Sequence, residues 1–325
     1  MKLVIQIPAW DEAEQIGTAL AELPRHVAGF DAVETLVVDD GSTDGTAEAA
    51  RCAGADHVVR LPIHRGLAFA WRAGLDAALR LGADVILSTD ADRQYAAADV
   101  ATLVAPLLRG EAEIVVGDRG VATKADFSPG KRLTQRFGSW VVRRASGTDV
   151  PDATSGFRAF TREAALRLNV FSKMTYTLET LIQAGNKEMA VVSVPVRTNP
   201  PVRASRLIQR TANYVLVQAA NILRITALYK PLPVFLGCAA LLAAAGLGLV
   251  GRYVFFVVTD QNPAGHLQSL LLAAVLFVAA VVCVLSGLLA DLISINRTLL
   301  EELVLEKRRR ESGKRDEKIS AEAPS

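Results

Sequence analysis

Leu87-Ser88-Thr89-Asp90-Ala91-Asp92-Arg93-Gln94 is the stretch that decides how this chain is read. It closes a short apolar run, Asp84 to Leu87, with two carboxylates at i and i+2 and an amide two residues further on. Positions i and i+2 of an extended strand share a face, so Asp90 and Asp92 are expected to converge on one hard cation. A few oxygen ligands of this kind suit Mg²⁺ or Mn²⁺ that is also bound to the phosphates of a substrate. A polar turn at a strand end would carry the same residue types, and the surrounding chain has to separate the two.

Working outward, Leu3 to Ile7, Thr35 to Val38, His57 to Leu61, Asp84 to Leu87, Glu113 to Val116 and Ala190 to Val196 read as strands. Between them Asp11 to Leu23, Thr46 to Ala53, Gly66 to Leu81, Ala98 to Leu108 and Tyr176 to Gln183 read as helices, several stopped by glycine or proline. Strands alternating with helices of this length predict βαβ units and a mostly parallel sheet. Ligands bind such sheets beyond the carboxyl ends of the strands. The polar clusters Trp10-Asp11-Glu12, Asp39-Asp40, Asp90-Asp92-Gln94 and Asp118-Arg119 all fall at those ends. That common placement favours a nucleotide-and-metal site over scattered turns. The chain has neither G-x-G-x-x-G after the first strand nor G-x-x-x-x-G-K-[ST], which argues against dinucleotide oxidoreductases and P-loop NTPases.

The chain has 325 residues, 51% hydrophobic and 22% charged, with a net charge of +2. The apolar residues are segregated. Residues 1–203 read as a soluble α/β domain and 204–231 as an amphipathic, basic juxtamembrane segment with Arg206, Arg210, Arg224 and Lys230. Residues 232–259 and 267–290 read as two membrane spans, and 291–325 as a basic, partly disordered tail. Val234 to Gly251 alone offers 18 uncharged residues, about 27 Å of helix and close to the hydrocarbon thickness of a bilayer. A buried core hairpin is the alternative, but soluble domains seldom need apolar runs this long. Basic residues before the hairpin and Lys307-Arg308-Arg309-Arg310 after it are expected to keep the α/β domain and both termini in the cytosol, on a multi-pass protein of the cytoplasmic membrane. No signal peptide is read at Met1 to Pro8. Cys52, Cys238 and Cys283 are isolated and suggest neither a disulfide framework nor a zinc site. A basic run, Lys131 to Arg144, is a solvated face or a surface for anions.

Pro8-Ala9-Trp10-Asp11-Glu12, the Val38-Asp39-Asp40-Gly41-Ser42-Thr43-Asp44-Gly45-Thr46 turn and Asp90-Ala91-Asp92-Arg93-Gln94 together resemble family-2 glycosyltransferases of the GT-A fold. Gly117-Asp118-Arg119, Asp152 to Arg158, and Val194-Pro195-Val196 followed by Arg203-Ala204-Ser205-Arg206 narrow the resemblance. They are similar to polyprenyl-phosphate glycosyltransferases of the dolichyl-phosphate mannose synthase type, and the two-span hairpin resembles their bacterial branch. The resemblance implies a Rossmann-like GT-A domain that moves a hexose, of the mannose or glucose type, from a GDP- or UDP-sugar to a polyprenyl phosphate with inversion. It implies that Pro8, Trp10, Glu12, Val38, Asp40, Asp90, Ala91, Asp92, Arg119 and Arg206 bind the nucleotide sugar. Asp90, Asp92 and Gln94 would hold Mg²⁺ or Mn²⁺, with Asp92 and Arg119 central to catalysis. Arg119, Arg132, Arg136 and Arg203 would meet the lipid phosphate.

The partners implied are thus a nucleotide-sugar donor, a polyprenyl-phosphate acceptor and a membrane, with no nucleic acid. A homo-oligomer is among the arrangements the resemblance allows. Trp10 and Asp11 stand where the family usually has Tyr and Asn, and Arg206 where it has Lys. The family's arginine preceding that position is displaced, with Arg197 and Arg203 both open as replacements. The alternatives are another family-2 enzyme such as a polysaccharide synthase, although no Q-x-x-R-W motif is present, and a non-catalytic membrane-anchored nucleotide-binding protein.

Overall fold

A computed structural model describes residues 1–120, 143–144, 146–170, 176–199, 227, 229, 231–259 and 267–322. The chain divides into two compact units, Met1–Ile222 together with Val304–Ser325, and Leu223–Leu303.

The first unit is built on a seven-stranded sheet among the described residues. In chain order its strands are β1 (Lys2–Ala9), β2 (Ala32–Asp39), β3 (His57–Arg60), β4 (Val85–Ser88), β5 (Ile114–Asp118), β6 (Arg158–Thr161) and β7 (Val191–Pro195). Across the sheet the order is β3-β2-β1-β4-β6-β5-β7. β1 lies between β2 and β4, parallel to both. Its run Leu3-Val4-Ile5-Gln6-Ile7 is buried from end to end, as a strand covered on both faces must be. Side chains alternate between the faces. Val4, Leu36, Val38, Ile86, Ile114 and Val116 enter one core, with α3 (Leu67–Arg80), α5 (Arg162–Arg167) and α6 (Thr177–Asn186). Leu3, Ile5, Ile7, Val37, Leu87 and Val115 enter the other, with α1 (Ala13–Glu22), α2 (Thr46–Cys52) and α4 (Val100–Leu108).

β6 corrects the strand list. It runs antiparallel between β4 and β5, so the sheet is mixed although mostly parallel. Four residues that begin with an arginine carry no strand signal. Arg158 is nevertheless completely buried, because backbone oxygens replace water around its guanidinium. It donates to the carbonyls of Ala153 (2.8 Å), Ser155 (2.8 Å) and Thr177 (2.7 Å) and to Thr180 Oγ1 (2.7 Å). Burial lowers its pKa to about 10, still far above neutrality.

The second unit holds α7 (Pro231–Val258) and most of α8 (Leu267–Glu322), both long and apolar enough to cross a membrane. Their large apolar side chains are turned outward: Leu241 is 74% exposed and Leu289 62%, the reverse of a core hairpin. The two helices meet where glycine allows it, Gly246 against Phe277 and Gly287 against Phe235. α8 does not end near Ala290. It runs on to Glu322, because no proline interrupts 291–322 and pairs such as Arg297–Glu301 (2.8 Å) support the helix face. The tail expected from Ala290 onward is therefore helical over most of its length.

Candidate functional site

The acidic turn after β4 is the centre of the carboxyl edge. β4 ends at Ser88, so the convergence of Asp90 and Asp92 does not come from strand alternation as expected. It comes from a turn. Asp92 Oδ1 accepts the Gln94 N–H at 3.0 Å, Arg93 adopts a left-handed φ of 60°, and Asn199 donates to the Arg93 carbonyl at 2.9 Å. Ala91 turns its methyl into the core and offers no side-chain wall to a ligand.

Asp90 lies against Gly156. A Cβ added there would stand 3.0 and 3.1 Å from the two carboxylate oxygens. The Gly156 peptide is itself clasped by two tyrosines: its N–H donates to Tyr95 Oη at 2.8 Å, and Tyr176 Oη donates to its carbonyl at 3.0 Å. Burial first, then the charge of Asp92, raises the Asp90 pKa to about 7; Arg119 opposes the rise and Glu12 adds to it.

Arg119, at the end of β5, closes the far side. Its Nε and Nη2 donate to Asp152 at 2.6 and 2.9 Å, Nη2 also reaches Thr154 Oγ1 at 2.8 Å, and Nη1 reaches Gln94 Oε1 at 3.2 Å. Burial works against its charge, but the Asp152 hydrogen bonds and surrounding negative charge outweigh it and raise the Arg119 pKa. Asp152 is desolvated too, yet the same bonds hold its pKa below the usual carboxylate range. The bidentate pair fixes the guanidinium plane.

The second acidic turn follows β2. Asp40 accepts from the N–H groups of Arg65 (2.9 Å) and Gly66 (2.7 Å) and pairs with His64 Nδ1 (2.8 Å). Asp39 Oδ1 accepts the Ser42 N–H at 2.9 Å. Gly41, at φ 70°, passes so close to the Ile63–His64 backbone that a Cβ would stand 2.5 Å from the Ile63 carbonyl carbon. No other residue fits there. The turn is stitched to residues 11–13. Asp11 N–H donates to Ser42 Oγ (2.9 Å), Thr43 N–H to Asp11 Oδ1 (3.0 Å), and Glu12 N–H to Thr46 Oγ1 (2.9 Å). Asp11 has φ 50°, a conformation that Asp tolerates almost as Asn does. Trp10 is 40% exposed and stacks on His64 with ring centroids 4.0 Å apart.

The structure thus gathers Asp90, Asp92, Gln94 and Arg119 into one network, with Glu12 contributing charge to it. Pro8 is buried at the tip of β1, level with Val38. Val38 is completely buried in the sheet core, so only its backbone can face a ligand. Arg132, Arg136, Arg203 and Arg206 lie outside the described residues. Of the two arginines open as replacements, Arg197 is held by Asp99 at 2.6 Å. Tyr95, Asp152, Thr154, Gly156, Tyr176 and His64 carry no individual signal in the sequence. Only Asp152, Thr154 and Gly156 carried a signal, as part of the Asp152 to Arg158 motif.

Among the described residues no three His, Cys, Asp or Glu side chains cluster as a metal cage. The Asp90, Asp92 and Gln94 oxygens still fit a hard divalent ion that shares its coordination with phosphates, since such sites use one or two carboxylates plus substrate oxygens. Asp90 also carries the electrostatic strain that a cation would relieve.

Residues 4–168 match the model of Glycosyl transferase family 2. The chain belongs to that family. This glycosyltransferase is 33% identical to the glycosyltransferase AglJ of Haloferax volcanii over 60% of its own length and 62% of the relative's. It is 28% identical to the UDP-N-acetylglucosamine–dolichyl-phosphate N-acetylglucosaminyltransferase of Methanococcus voltae, over 59% and 83% of the two chains. It is 30% identical to the polyprenol monophosphomannose synthase of Mycolicibacterium smegmatis, over 60% and 76%. Among solved structures, glucosyl-3-phosphoglycerate synthase of Mycobacterium tuberculosis in complex with Mn²⁺, UDP and glucosyl-3-phosphoglycerate shares the GT-A fold. Its TM-score is 0.52 at 24% identity, over 68% of this chain and 79% of that one.

Proposed function

We propose that this glycosyltransferase moves a hexose from a GDP- or UDP-sugar to a polyprenyl phosphate, with inversion at the anomeric carbon, at the cytosolic face of the cytoplasmic membrane. The observation that carries the reading is the pairing, at one sheet edge, of a carboxylate turn suited to a metal diphosphate with a locked arginine, in a chain whose two long helices expose apolar side chains. The names of two relatives, one using a dolichyl phosphate and one a polyprenol, support the acceptor class.

The acceptor phosphate is already an anion at neutral pH, so its oxygen needs no general base. Catalysis then rests on positioning and charge. Asp90, Asp92 and Gln94 would hold Mg²⁺ or Mn²⁺, which when bound neutralises the leaving diphosphate. Arg119, oriented by Asp152 and Thr154, screens the two anions that must approach each other. Asp40 holds the 64–66 backbone in place, and Trp10 with His64 offers the aromatic surface for the nucleobase. Basic residues on both sides of the hairpin support the cytosolic placement of the catalytic domain.

The test is transfer of radiolabel from GDP- and UDP-sugars to membranes supplied with polyprenyl phosphate, followed by organic extraction. Label in a mild-acid-labile lipid, absent with Asp92→Ala, is the expected result. Label recovered only in polymer, or near-normal transfer by the variant, would overturn it.

A further inference from the structure

The basic run Lys307-Arg308-Arg309-Arg310 looks, as sequence, like charge meant for lipid headgroups. The contacts of its first residues point elsewhere. Residues from Val304 onward belong to the same compact unit as the catalytic domain. Leu305 packs against the core that includes α3, α5 and α6. Arg308 Nη1 donates to the carbonyls of Leu166 (3.1 Å) and Leu168 (3.3 Å), and its Nη2 lies 3.8 Å from Asp76 of α3. Arg309 pairs with Glu163 on the first turn of α5. Lys187 Nζ takes the carbonyl between those two, that of Arg167, at 2.6 Å.

Three successive carbonyls at the carboxyl end of α5 are therefore met by cations, which is where a helix has unsatisfied acceptors and its negative dipole end. A short helix of six residues is marginal by itself, and this one joins β6, which carries Arg158, to the segment leading to Tyr176. We propose that residues 304–309 form an intramolecular clamp, with the carboxyl end of α5 and the adjacent surface of α3 as its docking site. The clamp consumes Arg308 and Arg309 as ligands of the catalytic domain and withholds them from the membrane surface. Its apolar foot is Leu305, its specific grip is Arg308 on backbone oxygens, and its register is set by the Arg309–Glu163 pair.

Trypsin cuts after lysine and arginine, so the run reports its own docking. The full-length protein, in nanodiscs of zwitterionic lipid and separately of anionic lipid, is treated briefly with trypsin, and cleavage within 307–310 is followed by mass spectrometry. Cleavage scales with the population of the open form when opening is fast. The expected result is slow cutting of the wild type in both lipids. Cutting should be about tenfold faster or more in Asp76→Arg/Glu163→Arg, because like charges replace attraction and weaken hydrogen bonds from a charged donor. In Glu163→Arg/Arg309→Glu the pair is restored with its charges exchanged, and cutting after Lys307 and Arg310 slows relative to Arg309→Glu alone, which has the same tryptic sites. Wild-type cleavage as fast as that of Asp76→Arg/Glu163→Arg overturns the clamp, and so does protection that needs anionic lipid and ignores residue 163. If Glu163→Arg simply unfolds the domain, the exchanged pair decides. Recovery of protection and of the thermal midpoint supports the clamp, and no recovery overturns it.

Discussion

Two acidic turns stand at the same sheet edge, and their carboxylates lead opposite lives. After β2, Asp40 is saturated by Arg65 N–H, Gly66 N–H and His64, while Asp39 takes Ser42 N–H on Oδ1 and has Arg60 Nε 3.4 Å from Oδ2. After β4, no donor among the described residues bonds Asp90, which sits beside Asp92 with its pKa raised to about 7. A carboxylate whose oxygens are spent on the backbone, as those of Asp40 are, acts as a brace. A half-buried carboxylate left unspent beside another is where the proposed cation would bind. Sequence alone shows Asp39-Asp40 and Asp90-x-Asp92 as similar acidic pairs, and only the donors around them tell them apart.

The contrast can be broken most decisively at Asp90. Asp90→Asn should lower transfer by about 10²–10³-fold or more, in the range for removing a preorganised electrostatic group. It should also raise the thermal midpoint, since a strained charge is gone. A fall in midpoint would make Asp90 a brace like Asp40. Asp40→Ala should do the reverse and cost about 1–3 kcal/mol in chemical denaturation, because two partly buried N–H groups lose a charged acceptor. Full stability with a selective loss of donor binding would instead make Asp40 a ligand contact. Gly156→Ala should be milder. The new methyl presses on the Asp90 oxygens and the Tyr176 hydroxyl, so Mn²⁺ affinity by electron paramagnetic resonance should drop about tenfold with the fold intact, a loss of about 1.4 kcal/mol.

The smallest effect is in pH dependence. Asp90 has a folded pKa above its unfolded one, so its contribution to stability falls as pH rises from about 4 to about 7. Asp152 has a depressed folded pKa, so its contribution is present above the ordinary carboxylate value and is lost as pH falls through the lower folded value. Relative to the wild type, Asp90→Asn should therefore gain stability as pH rises from about 4 to about 7, whereas Asp152→Asn should lose it as pH rises through the lowered folded value. Differences of the same sign at neutral pH would contradict the comparison.

Much of this was legible in the chain itself. The apolar runs of β1, β2, β4 and β5 and the glycine stops between them announce the sheet, and the polar strand ends announce its working edge. Asp90, Asp92, Gln94 and Arg119 could be named because each follows directly on a readable strand. β6 could not, since Arg158 is buried by partners from residues 153–180 that no local pattern reveals. Tyr95 and Tyr176 were invisible for the same reason, their role being to clasp a peptide 61 and 20 residues away. The continuation of α8 past Ala290 is not legible in the sequence, because polarity alone does not separate a solvated helix from disorder. A charged stretch without proline can remain helical.

The position of β6 has a consequence for the order in which the protein can assemble. Emerging amino end first, the chain can pair β1, β2, β3 and β4 as soon as residue 88 is available. β4 stays an open edge, and β5 has no strand partner, until β6 and later β7 arrive. The catalytic sheet is thus completed in two instalments, both finished before α7 begins at Pro231. Residues 304–309 are synthesised only after α7 and the start of α8. The nascent domain therefore passes through a stage in which its sheet is closed but the end of α5 has Lys187 and not yet Arg308 or Arg309, the interval in which a chaperone or a protease would find it most accessible.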